Sequence, residues 1–78
     1  MPRIALQKEI LGQLRDKVLR SRGVAFSMDD DGQVYALLKY WAEEMAGEGA
    51  SVSRVLPKEG RYLVTCTTEF LQALQSEL

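Results

Sequence analysis

Hydrophobic and polar positions alternate along this chain with two periods, and the switches between them outline the elements. From residue 4 to 20, Ile4, Leu11, Leu14 and Val18 recur at helical spacing. Lys17 and Arg20 sit toward the end of that stretch, where cations suit the helix dipole. The spacing predicts a first helix over 4–20. Adding Leu6, Ile10 and Leu19 widens its apolar arc to roughly 220° at 100° per residue. A surface helix needs only about 100° of apolar stripe. The surplus, centred on Leu6 and Ile10, is expected either to lie under another element or to engage a second copy or another protein.

Gly23 suits a helix exit, because glycine takes the left-handed conformation at little steric cost. Val24, Phe26 and Met28 then alternate with Ala25 and Ser27, which predicts a strand over 24–28. Asp29-Asp30-Asp31-Gly32 ends it and places carboxylates at the start of the next helix. That helix, about 32–46, is the clearest element, with Val34, Leu37, Leu38, Trp41 and Met45 on one stripe and Gly47 and Gly49 at its end. Residues 50–56 and 61–67 read as two strands joined through the turn chemistry of Pro57-Lys58-Glu59-Gly60, an antiparallel hairpin. Thr67 or Thr68 can cap a last helix, 68–78, whose apolar side is Phe70, Leu71, Leu74 and Leu78. The predicted order is α-β-α-β-β-α. It describes an α+β fold, a two-layer sandwich in which helices cover one face of a small mixed sheet. Trp41, Phe26, Leu38 and Val64 are expected to meet in its core.

Composition narrows the function. Seventy-eight residues make one domain, 1–78, with a single small core and little room for an enclosed active site. The chain is 46% hydrophobic and 27% charged, an ordinary globular balance. It contains no histidine, which removes His-based triads, His-ligated zinc and a histidine switch. One cysteine, Cys66, excludes an internal disulfide framework and a Cys-rich zinc site. A net charge of −1 argues against a dedicated nucleic-acid binder. The longest apolar run is far short of the roughly 20 residues that span a bilayer, so no membrane partner is expected. With one unpaired thiol and no signal-peptide pattern, a cytoplasmic location is expected.

Four groupings carry candidate chemistry. Ser27, Asp29 and Asp31 take the first, third and fifth positions of a calcium loop, but Leu38 stands where its bidentate Glu is needed. The carboxylates therefore read as a strand-to-helix turn, and no metal or other cofactor is expected. Cys66 lies just ahead of a helix N-terminus, which can activate a thiol; its alternation with Tyr62 and Val64 favours a small buried hydrophobe. Tyr35, Tyr40 and Trp41 lack an interleaved cationic stripe, so core packing is favoured over base stacking. Arg15, Lys17, Arg20 and Arg22 make the first helix locally basic and offer an anionic-ligand or RNA surface.

From Gly23 onward, Asp30-Asp31 precede Trp41-Ala42-Glu43-Glu44, Gly47-Glu48-Gly49 follows, and Arg61-Tyr62-Leu63-Val64 closes the hairpin. In these features the chain resembles the TusA/SirA-like small sulfur carriers, which often have a Gly-His-Glu turn where Gly47-Glu48-Gly49 stands and a terminal strand similar to Arg61-Tyr62-Leu63-Val64. The likeness covers about 45 residues and implies a related fold. The family's persulfide-bearing Cys-Pro-x-Pro motif is absent: the corresponding region falls near Ala5 and Leu6, and Cys66 matches no family position. The family's first strand is reduced at most to residues 3–5, and helix 68–78 extends past the usual family end. The reading that follows is a non-catalytic, sulfur-carrier-like domain, not an enzyme, acting through a protein partner or a homodimer. The alternatives are sulfur or redox relay through Cys66, and anionic-ligand or RNA binding through the basic first helix.

Overall fold

The computed structural model describes residues 1–77; the expected place of Leu78 on the last helix lies outside them. The fold is α+β, in two layers. Its elements run β1 (Arg3–Gln7), α1 (Lys8–Arg22), α2 (Asp31–Glu44), β2 (Val52–Lys58), β3 (Arg61–Cys66) and α3 (Thr68–Glu77). The sheet order is β1-β3-β2, and both pairings are antiparallel, so the sheet is not mixed.

The first element corrects the expected helix over 4–20. Residues 3–7 form a strand that pairs with β3, from Arg3 opposite Thr65 to Gln7 opposite Arg61. The wide arc arose from laying a strand's period on a helix. Ile4 and Leu6 stand two apart and both turn inward. Once they are removed, α1 buries an ordinary stripe of Leu11, Leu14 and Val18. Gly23 ends α1 at φ 71, where its N–H donates to the Leu19 carbonyl at 2.9 Å. A side chain there would be strained, so glycine serves as the stop.

The strand expected over 24–28 does not form. Val24, Phe26 and Met28 do pack against the core while Ala25 and Ser27 stay exposed, so the alternation survives without a paired backbone. Phe26 rests against Tyr40, with ring centroids 5.8 Å apart. The order therefore begins β-α-α rather than α-β-α. Asp30 caps α2 by accepting from the Gly32 N–H at 2.8 Å.

The hairpin turn is tighter than expected, only Glu59-Gly60, because Pro57 and Lys58 continue β2. Both turn residues have positive φ, 53° and 80°, the signature of a two-residue type I′ connection. Pro57 is tolerated because β2 is an edge strand. Thr67 Oγ1 accepts from the Phe70 N–H at the start of α3 and from the Ser51 N–H, which ties α3 to the entry of β2.

Inward residues of the sheet (Leu6, Val52, Tyr62, Val64, Cys66) join the buried stripes of all three helices in one cluster. Trp41, Leu38 and Val64 lie at its centre as expected, and Phe26 packs at its margin. Trp41 meets Phe70 edge-on at 5.2 Å, joining α2 to α3. Its Nε1 has no hydrogen-bond partner among the described residues, a cost of about 1–3 kcal/mol. The area buried by the indole offsets it. Among the described residues, the core contains no buried charged or polar residue, and no helix is long and apolar enough to cross a membrane.

Candidate interaction surface

Leu6 cannot serve the docking surface expected of it. It is 1% exposed, because a strand over 3–7 points it into the core. Ile10 packs partly against the same cluster. The apolar surplus on the first helix is thus absorbed within the chain.

Cations of α1 are also occupied or dispersed. Arg15 pairs with its neighbour Asp16 at 3.4 Å, and Lys17 forms an ion pair with Glu77 of α3. Arg22 Nη2 donates to the Glu44 carbonyl at 3.0 Å, placing positive charge at the C-terminal end of α2, where the dipole favours it. Arg20 is exposed beside a depression of about 280 Å³ between α1 and α3, which Lys17 and Glu77 also line. At 100° per residue Arg15 and Lys17 lie about 200° apart around the helix. The four do not form one patch.

Cys66 has no exposed surface, and burial pushes its thiol above the ordinary value of 9.0. A protonated, enclosed thiol is a poor nucleophile. The acidic turn is likewise used by the fold. Asp30 caps α2, and Asp31 Oδ1 accepts from the Tyr62 hydroxyl at 2.9 Å, linking α2 to β3. That bond, then burial, then the carboxylate's charge hold the Tyr62 phenol above its ordinary 10.0.

What remains open is the other face of the sheet. The register places three rows across it. Gln7, Arg61 and Lys58 form one row; Ala5, Leu63 and Leu56 form the next; Arg3, Thr65 and Arg54 form the third. Their outward direction follows from alternation with the buried Leu6, Tyr62, Val64 and Cys66. All helices pack against the inward side, so among the described residues nothing covers this face. Leu56 is 40% exposed, among the most exposed large hydrophobic side chains. A depression of about 270 Å³ lies on the same face between Ala5, Leu63, Lys58 and Arg61, with Glu59 at its rim.

This surface is only partly visible in the sequence. Arg54-Val55-Leu56-Pro57-Lys58 and Arg61-Tyr62-Leu63-Val64-Thr65 both carry the period of two, so two of its three columns were readable from the hairpin. The third column required β1, which the helical pattern concealed. Comparison with known proteins adds nothing to these residues: no family model, curated protein or solved structure matches the chain.

Proposed function

We propose that this chain is a non-catalytic interaction domain that works through protein–protein contacts. The observation that carries this reading is the uncovered sheet face, with its apolar row of Ala5, Leu63 and Leu56. An apolar centre with a polar rim is the usual anatomy of a protein interface. The chain is sulfur-carrier-like in its likeness to that family, without the cysteine that carries sulfur there. Cys66, the remaining thiol, is enclosed, which favours binding over relay.

The test is affinity capture with the tagged chain in its own cells, comparing wild type with Leu56→Gln/Leu63→Gln and with Arg20→Gln on α1. Circular dichroism checks that each variant folds. Bound protein is expected to disappear with the sheet variant and to persist with the helix variant. Retention of the same bound protein by a folded Leu56→Gln/Leu63→Gln chain would place the interface elsewhere.

A further inference from the structure

We infer that the open sheet face docks an extended acidic segment of another protein, in which one apolar side chain lies between two carboxylates. This rests on the interaction-domain reading and supplies the chemistry of its partner. The outward rows are ordered along the strands as cationic, apolar, cationic. Arg61 and Lys58 stand at one end, Leu63 and Leu56 in the middle, Arg3 and Arg54 at the other. Four of the chain's ten Lys and Arg residues occupy this face, and none of its nine positions is a carboxylate; Glu59 sits in the adjoining turn. Among the described residues none of the four cations is in an ion pair, whereas Arg15 and Lys17 of α1 both are. On a chain of net charge −1, that concentration of unpaired positive charge selects an anionic partner.

Spacing adds to charge. The two cationic rows lie four residues apart along each strand, about 13 Å at the rise of a β-strand. In an extended segment, positions i, i+2 and i+4 share one face and span the same length. An acid-x-apolar-x-acid pattern therefore presents each carboxylate to a cationic row and the apolar side chain to Leu56 and Leu63. Single-stranded RNA fits less well, because no aromatic side chain stands on this face to stack a base. DNA-groove binding by α2 is disfavoured by the carboxylates at its N-terminus and by Lys39 being its only cation.

The test is fluorescence anisotropy with a labelled peptide repeating Glu-Ser-Leu-Ser-Glu. Comparison ligands are the same peptide with Gln for Glu, a scramble that breaks the pattern, and an oligo-uridine strand. The repeating acidic peptide is expected to bind tightest and to weaken as salt rises from 0.05 to 0.5 M, a range over which screening shortens to a few ångströms. Arg54→Gln/Arg61→Gln is expected to weaken it about tenfold, and Arg15→Gln/Arg20→Gln to leave it unchanged. Both pairs are surface changes; circular dichroism confirms folding, and Lys58→Gln provides an independent variant of the same face. Equal binding of the Gln peptide or the scramble, tighter binding of oligo-uridine, or insensitivity to the sheet variants would overturn the inference. No peptide binding, while Leu56→Gln/Leu63→Gln still loses the captured protein, would overturn the acidic partner and leave the interaction face standing. If that variant keeps the captured protein, the interaction-domain reading itself fails.

Discussion

Replacing Leu6 with alanine separates the strand from the helix that the local pattern suggests. Leu6 is 1% exposed and belongs to the central cluster through β1. The change removes three carbons, about 2.4 kcal/mol at about 0.8 kcal/mol per buried CH₂ group. A cavity that only partly collapses adds to this, and buried Leu→Ala changes as a class cost about 2–5 kcal/mol. We expect a loss of about 3–4 kcal/mol. That is a large share of the roughly 4–12 kcal/mol available to a chain of this length. In a small domain it lowers Tm by roughly 12–30 °C. Urea unfolding followed by Trp41 fluorescence measures it, with Ala5→Ser as the comparison. Ala5 lies one position away on the outward face and is exposed, so its change should stay within about 0.5 kcal/mol. A single helix over 4–20 places Leu6 and Ile10 on one stripe, and both would respond alike. A Leu6→Ala loss below about 1 kcal/mol, or equal losses at Leu6 and Ile10, would refute the placement of β1.

Glu59 holds a positive φ of 53° in a type I′ turn that favours Asn-Gly, so Glu59→Asn should stabilise by about 0.5–1 kcal/mol in thermal unfolding. Tyr62→Phe removes the bond to Asp31 and should cost about 1–2 kcal/mol by urea titration. Tyr62 and Cys66 hold their protons to higher pH in the folded chain than in the unfolded one. The stability tied to them is full below pH 9.0 and falls as pH rises through 9.0 for the thiol and 10.0 for the phenol, toward the raised folded values. The urea midpoint should therefore decline above pH 9.0, and Tyr62→Phe should flatten the part above 10.0. Native Cys66 should react with a thiol reagent only as fast as the fold opens, and at the rate of a free thiol in denaturant; rapid labelling of the native chain would contradict its burial.

Long periodic segments were legible in the sequence because their side chains face one environment throughout. The α2 stripe from Val34 to Trp41 and the β2–β3 hairpin are of this kind, and their boundaries moved by only one or two residues. Elements at changes of period were not. Ile4 and Leu6 continue a helical pattern because five residues of strand abut α1 with no intervening turn. Val24, Phe26 and Met28 alternate as a strand does, yet both edges of the three-stranded sheet form without them. The open sheet face was hidden for a related reason. Arg3, Arg54, Lys58 and Arg61 are scattered along the chain and meet only through the register of three strands, whereas Arg15 to Arg22 cluster in sequence and diverge around a helix.

The proposed use of the open sheet face is tested most directly by amide chemical-shift mapping of the isotope-labelled chain, titrated with the repeating Glu-Ser-Leu-Ser-Glu peptide. Changes are expected to concentrate at Arg54, Leu56 and Lys58 on β2 and at Arg61, Leu63 and Thr65 on β3, with Arg15 to Arg22 of α1 unmoved. Changes centred on α1, or no saturable change at the sheet, would contradict the account.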